Sequence, residues 1–211
     1  MNRTLRSLRP LTLSLLALVA LAGCNDDDNE DAIHPVHASF EVDPVSADPA
    51  VFFVKSPTDV NATDDIVVVD VMLRSTGGTT FSAFTMEIHF DPTVLQIGQL
   101  DLTATALGDC TSGAALHPIC SDNIDPAPPI APANDSGELL LGVSAQNGGP
   151  LASVTGIEKL FTLRFVGASV GTSDITFTQG AGSGDCEILD ATPADLGITC
   201  ESGAAHVVVA R

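Results

Sequence analysis

Four segments of the chain alternate apolar and polar residues one by one, and this pattern constrains the fold more than any other feature. In the segment 65–74, Val67, Val69, Val71 and Leu73 share one face. The other three segments are 81–90, 138–146 and 158–166. Alternation with a period of two residues predicts β-strands that bury one face.

The same alternation predicts which side chains are buried. The inward sets are Phe84, Met86, Ile88 and Phe90 in the second segment, Leu139, Leu141, Val143 and Ala145 in the third, and Phe161, Leu163 and Phe165 in the fourth. Shorter β-prone runs occupy 51–55, 94–100, 175–178 and 204–210. No stretch of ten or more residues carries a convincing helical stripe, so the sequence predicts an all-β sandwich of about nine strands.

Glycine and proline mark the expected connections. Gly77-Gly78 predicts a turn after the first alternating segment, and residues 147–150 predict a loop. The segment 101–136 is rich in Pro, Asp, Ala and Gly, which is typical of long loops.

The first 24 residues have the layout of an export signal. Arg3, Arg6 and Arg9 precede an apolar run from Leu11 to Ala22, and the run ends in Leu-Ala-Gly-Cys at 21–24. This tetrad resembles the lipobox of bacterial lipoproteins. The resemblance implies cleavage before Cys24 and lipidation of its thiol, with an ordinary signal peptide as the alternative. The run is shorter than the ~20 residues of a membrane span, so we expect an exported protein that is lipid-anchored to the cell envelope, at the outer membrane or cell surface.

Net charge restricts the class of partner. The chain carries −19, and removal of residues 1–23 with their three arginines makes this −22. Nucleic acid binding requires lysines and arginines to neutralise phosphates, so it is not expected here. The run from Asn25 to Asp31 is too charged to be buried and predicts an acidic tether. The expected domains are a signal peptide at 1–23, a flexible tether at 24–48 and a β-sandwich at 49–211.

Four further cysteines, an even number in an exported chain, predict two disulfides. Three pairings are possible, and the simplest joins Cys110 to Cys120 and Cys186 to Cys200. The spacing of Cys110, His117 and Cys120 also permits a copper or zinc site. It offers no fourth ligand nearby and lacks the C-x2-C spacing of structural zinc sites, so we expect a disulfide and no metal.

The order of the strands resembles a cohesin domain, the jelly-roll β-sandwich module of cellulosome scaffoldins. The best marker is the run F-D-P-T-V-L at Phe90–Leu95, where Asp91-Pro92 ends one strand and returns Val94 and Leu95 to the core. The resemblance spans roughly residues 50–210. It implies a receptor for the calcium-loaded dockerin module of another protein and a link to polysaccharide degradation. The chain has no D-x-[DN]-x-[DN]-G calcium loop, so it is not itself predicted to be a dockerin.

In cohesins the partner lies on an exposed sheet face, and the resemblance implies such a face here. Carried over strand by strand, the expected partner-binding residues are Thr85, Glu87, His89, Ser144, Gln146, Thr162 and Arg164. Arg164 is the expected anchor, because cations are rare in this chain.

Carbohydrate binding, a structural or adhesive role and catalysis are the alternatives to protein binding. Carbohydrate sites on this fold present flat aromatic rings, whereas the chain has no Trp and no Tyr. An envelope protein with a structural or adhesive role remains an alternative. An enzyme is not expected, since the histidines are scattered and no G-x-S-x-G motif occurs. No cofactor and no catalytic residue are predicted.

Overall fold

Two β-sheets and one short helix make up the described part of the chain. The computed structural model describes residues 37–57, 65–102, 106–107, 119–120, 130–145, 151–178, 186–201 and 205–210. The strands are β1 His37–Val42, β2 Ala50–Lys55, β3 Ile66–Phe81, β4 Ala83–His89, β5 Leu95–Asp101, β6 Ile119–Cys120, β7 Glu138–Ser144, β8 Ala152–Gly167, β9 Gly171–Phe177, β10 Glu187–Leu189, β11 Thr199–Cys200 and β12 Ala205–Ala210. The helix α1 is Ile130–Ser136.

The strands divide between a front sheet and a back sheet. The front sheet has the order β1-β12-β9-β4-β7-β6, with β10 also paired to β4, and the back sheet has the order β11-β2-β3-β8-β5. Every pairing is antiparallel except that of β11 with β2. The chain crosses between the sheets from β3 to β4, from β4 to β5 and on either side of β8. Of the four alternating segments, β3 and β8 pair in the back sheet and β4 and β7 pair in the front sheet, on opposite walls of one core.

The core lies between the sheets and is built from the predicted inward residues. Phe53 of β2 stacks on Phe177 of β9, with ring centroids 4.1 Å apart. Phe84 of β4 and Phe161 of β8 stack at 5.9 Å. Each pair joins the back sheet to the front sheet, so the predicted all-β sandwich is confirmed, and the described residues contain twelve strands where about nine were expected.

The turn after β4 forms as its sequence predicted. Asp91 ends the strand, and its carboxylate accepts hydrogen bonds from the backbone and hydroxyl of Thr93 at 2.9 and 2.6 Å. The chain then re-enters the core at Val94 and Leu95, both of which are buried. An Asx-type turn of this kind explains why the Asp-Pro pair separates two strands that belong to different sheets.

The expected turn at Gly77-Gly78 is wrong. Both glycines lie inside β3, where the pairing with β8 shifts register between Ser75 and Thr79. Gly78 has φ +83°, which a β-bulge tolerates at glycine. The reversal comes at Ser82, whose backbone N–H donates to the Leu189 carbonyl at 2.8 Å as the chain changes sheet.

The expected loop at 101–136 contains ordered elements. Strand β6 pairs with β7, and α1 lies against β5. Asn134 of α1 accepts a hydrogen bond from the Ile97 backbone N–H at 2.6 Å and donates to the Ile97 carbonyl at 3.0 Å. This bidentate contact falls where β5 is irregular, and it explains how so short a helix is held without a stripe of its own.

The segment 37–48, assigned from its sequence to the flexible tether, is part of the sandwich. Residues 37–42 form β1, which pairs with β12 along its whole length. Further on, the Glu201 carboxylate accepts backbone hydrogen bonds from Ser46 at 3.0 Å and Ala47 at 2.6 Å. These bonds lower the pKa of Glu201. Residues 24–36 of the expected tether lie outside the described residues. In the part that is described, no helix is long and apolar enough to cross a membrane.

Candidate partner-binding face

The residues expected to form one partner-binding face lie on two sheets. Thr85, Glu87 and His89 are on β4 and Ser144 ends β7, all in the front sheet. Thr162 and Arg164 are on β8 in the back sheet. Outward side chains of the two sheets of a sandwich point in opposite directions, so the expectation of a single face is wrong. Gln146 lies outside the described residues.

Thr162 is moreover buried, with 7% of its surface exposed. It stands opposite Asp70 in the β3–β8 pairing, and its hydroxyl donates to the Asp70 carboxylate at 2.5 Å. Arg164 is half-buried between Val68 and Gln99 of the neighbouring strands. Its expected role as the anchor beside Glu87 is therefore not supported by its position, because Glu87 is in the other sheet.

The front sheet carries a coherent polar surface on its outer side. Since residues directly opposite each other in antiparallel strands share a face, the register of β4 with β7, β9 and β10 defines this surface. Its members, here called the front face, are Thr85, Glu87, His89, Glu138, Leu140, Ser144, Thr176, Thr178 and Glu187. The buried residues between them, Phe84, Met86, Ile88, Leu139, Leu141 and Val143, hold the strands in place from the core side.

A hydrogen-bonded triad lies at the centre of the front face. His89 Nε2 is 2.6 Å from Glu87 Oε1 and 2.6 Å from the Thr178 hydroxyl. The Thr178 hydroxyl in turn donates to Glu87 Oε1 at 2.7 Å. The Thr178 hydroxyl has one hydrogen and donates it to the Glu87 carboxylate. The hydrogen in the contact between His89 and Thr178 must therefore be on His89 Nε2.

These contacts set the electrostatics of Glu87. The hydrogen bond from Thr178, followed by the hydrogen bond and charge interaction with His89, lowers the pKa of Glu87 below its usual value. Glu138 stands directly opposite His89 in the register, and Glu187 lies opposite Thr85. The front face is thus negatively charged at neutral pH and carries no lysine or arginine among its members.

Leu140 interrupts this polar surface. It lies opposite Glu87 on β7 and is 59% exposed, although its neighbours in sequence, Leu139 and Leu141, are buried. A large apolar side chain surrounded by carboxylates and hydroxyls has the composition of an interface centre with a polar rim.

Sequence reasoning missed Leu140, Glu138 and Thr178. The signal for the first two was present, because alternation that sends Leu139 and Leu141 inward sends Glu138 and Leu140 outward. Thr178 could not have been found this way, since its place beside Glu87 depends on the pairing of β4 with β9.

Cys186 and Cys200 form a disulfide with their Cα atoms 5.9 Å apart, which is one of the two simplest pairs expected. It joins the residue before β10 of the front sheet to β11 of the back sheet. Cys24 and Cys110 lie outside the described residues, as does the side chain of Cys120.

Comparison with known proteins finds cohesin modules. No protein-family model and no curated protein matches the chain. Among solved structures, the second type II cohesin module of the adaptor ScaA scaffoldin of Acetivibrio cellulolyticus is 14% identical over 75% of this chain and 88% of its own, with a TM-score of 0.47. The Coh-OlpA–Doc918 cohesin–dockerin complex of Clostridium thermocellum is 12% identical over 80% and 96%, also at 0.47.

A third similar structure is CaCohA2 of Clostridium acetobutylicum, 14% identical over 83% of this chain and 92% of its own, with a TM-score of 0.42. These are modules of the family that the sequence resembles. At TM-scores below 0.5 the likenesses do not assign a function to this chain, so a functional assignment depends on its own residues.

Proposed function

We propose that this chain is a non-catalytic, cohesin-like receptor that captures a dockerin-type protein module on the front face. The proposal rests on the F-D-P-T-V-L run with its strand order and, above all, on one observation. Leu140 is 59% exposed on the front face, whose other members are all polar. Interface energy is concentrated in a few central residues that a polar rim shields from water.

The charge of the front face specifies the partner further. Glu87, Glu138 and Glu187 lie within three neighbouring strands, so the partner's contact surface is expected to carry lysines or arginines beside an apolar patch that covers Leu140. Complementary charge of this kind raises the association rate and is weakened by salt.

A matched pair of variants tests the face. Leu140→Ala should weaken binding of calcium-loaded dockerin modules from the same organism by at least about tenfold, or ~1.4 kcal/mol. Ile157→Ala is the control, because Ile157 is 57% exposed but lies on β8 of the back sheet. Biolayer interferometry with the complete mature chain at two salt concentrations would measure both affinities.

Equal losses for the two variants, or no loss for either, would contradict the proposal. Retention of the chain on cellulose or chitin without capture of any dockerin would instead indicate carbohydrate binding. Aromatic stacking could not explain such retention, because eight of the nine phenylalanines are buried and Phe40 is packed against the core.

We further propose, from the Leu-Ala-Gly-Cys tetrad at 21–24, that this module is displayed on the cell envelope through lipid on Cys24. Dual or triple acylation anchors a protein stably. Cys24→Ser should therefore shift the protein from the membrane pellet to the soluble fraction, or leave the precursor uncut. An unchanged distribution on fractionation would place the anchor elsewhere.

A further inference from the structure

We propose that Glu87, His89 and Glu138 form a binding site for a divalent metal ion of the zinc class. One potential ligand atom from each residue lies within 4.8 Å of the other two. In the part of the chain that the structure describes, no other three His, Cys, Asp or Glu residues meet this condition. The inference concerns a small ion and stands whether or not a protein partner is captured.

The backbone geometry explains why these three side chains converge. His89 and Glu138 are directly opposite each other in the β4–β7 pairing, and Glu87 lies two residues before His89 on the same side of β4. The residues between them, Ile88 and Leu139, are buried in the core. The strands are thus held in place, and only side-chain rotation is needed to bring the ligands around an ion.

The donor set favours zinc over calcium or magnesium. Zn²⁺ takes imidazole nitrogen and carboxylate oxygen at about 2.0–2.2 Å in a tetrahedron, whereas calcium and magnesium prefer six or more oxygen ligands. Two carboxylates also balance the charge of one divalent ion, which relieves the repulsion between Glu87 and Glu138.

Thr178 supplies the orientation that a metal ligand needs. Its hydroxyl and His89 both hydrogen-bond Oε1 of Glu87, and Oε2 takes part in neither bond. Ligating carboxylates are commonly held in this way by a hydrogen-bonding neighbour. Metal binding at His89 Nε2 needs the lone pair of that nitrogen, so the single N–H hydrogen of the neutral ring would move to Nδ1 and the hydrogen bond to Glu87 would be replaced by the metal.

Three protein ligands leave a fourth position open toward solvent, because His89 is 43% exposed and Glu138 is exposed. Water would fill that position in the free chain. Since the site lies on the front face next to Leu140, a nitrogen, oxygen or sulfur donor of a bound partner could take the water's place.

The chain contains a matched control for this site. His206 Nδ1 lies 2.6 Å from Asp174 Oδ1, and His206 is also 43% exposed. This pair is on the same side of the front sheet, where β12 meets β9. Glu41 of β1 also stands opposite His206, but its carboxylate does not converge with the other two ligand atoms to within 4.8 Å. The pair therefore reproduces the His–carboxylate contact without three converging ligands.

Titration calorimetry with ZnCl2 on the metal-stripped, complete mature chain tests the inference at neutral pH. We expect His89→Gln and Glu138→Gln each to remove one zinc equivalent or to weaken it at least about tenfold, and His206→Gln to leave the isotherm unchanged. Far-UV circular dichroism of each variant would verify that the sandwich is intact. Counting equivalents separates this site from any zinc bound by the histidines and cysteines outside the described residues.

Three results would overturn the site. The first is no zinc uptake by the wild-type chain at a zinc concentration of ~10⁻⁴ M, because a Kd weaker than this would not be specific. The second is equal zinc uptake by the wild type and both ligand variants, and the third is a loss of zinc binding in His206→Gln equal to that in the ligand variants. Displacement of zinc by equimolar calcium would overturn the assignment to the zinc class. Dockerin binding is measured separately in the presence of a zinc-selective chelator, so failure of the metal site and failure of the receptor function give different results.

Discussion

At the scale of single residues, the front face depends on side chains that meet only because three strands lie side by side. Glu87 and His89 come from β4, Glu138 comes from β7, and Thr178 follows β9. Thr178 acts on both neighbours, because its hydroxyl donates its one hydrogen to Glu87 and can therefore only accept a hydrogen from His89 Nε2.

Replacement of Thr178 by Val should raise the pKa of Glu87 back toward its ordinary value of 4.5, because the strongest cause of its lowering is the Thr178 hydrogen bond. A carboxyl whose pKa is lowered on folding stabilises the fold above its unfolded-state pKa and loses that contribution as the pH falls through the folded-state pKa. The wild type should thus be more stable to unfolding than Thr178→Val above about pH 4.5, and this difference in free energy of unfolding should shrink at lower pH.

Carbon-detected NMR titration of the Glu87 carboxyl measures the pKa directly. Thr176→Val is the control, because Thr176 lies on the same face opposite His89 and is not among the causes of the Glu87 shift. An unchanged Glu87 midpoint in Thr178→Val would mean that the hydroxyl does not hold the carboxylate.

At the scale of elements, the junction of β4, α1 and β7 positions the centre of the face. Gly137 lies between α1 and β7 with φ +76°, and the Phe90 backbone N–H donates to its carbonyl at 2.9 Å. A Cβ at this position would stand 2.4 Å from the Phe90 carbonyl oxygen and 2.7 Å from Pro92 Cδ. The turn after β4 and the start of β7 therefore require glycine here.

Gly137→Ala should destabilise the protein by about 1–3 kcal/mol, because alanine is strained at positive φ and its methyl group meets backbone. Gly77→Ala is the matched control, since a Cβ there has no atom within 4 Å and its φ is not positive. Urea unfolding followed by circular dichroism measures both. Similar stability of the two variants would show that the junction relaxes around the methyl group.

At the scale of the whole molecule, contacts between the sheets hold the sandwich together. The stacked pairs Phe53–Phe177 and Phe84–Phe161 bridge the sheets inside the core. The disulfide between Cys186 and Cys200 bridges them at the edge, where β10 and β11 belong to different sheets. A covalent link there restricts the unfolded chain and limits separation of the two edge strands.

The double variant Cys186→Ala/Cys200→Ala should lose about 3 kcal/mol of unfolding free energy, as the chain-entropy relation gives for a loop of this size. The cysteines are 14 residues apart in sequence. Reductant should lower the unfolding free energy of the Cys110→Ala/Cys120→Ala variant by a similar amount. It should not change the unfolding free energy of a variant that lacks all four of these cysteines. No effect of reductant in that background would show that the edge link does not stabilise the fold.

The sequence by itself determined the alternating strands β3, β4, β7 and β8 and the direction of most of their side chains. Phe84, Met86 and Ile88 on β4, and Leu139 and Leu141 on β7, are buried as their alternation predicted. This succeeds because successive residues of a strand point to opposite faces wherever the strand is placed. Alternation does not distinguish a glycine turn from a bulge, and so it misread Gly77-Gly78.

Only the tertiary structure decided which strands are neighbours, and the candidate site depends on that. Thr162 and Arg164 satisfy the same alternation as Glu87 and His89, yet β8 lies in the back sheet and Thr162 is buried against Asp70. Glu138, Leu140 and Thr178 join Glu87 and His89 through the pairings of β4 with β7 and β9. The physical reason is that period-two alternation specifies a side for each residue, whereas sheet membership follows from how strands distant in sequence hydrogen-bond around a shared core.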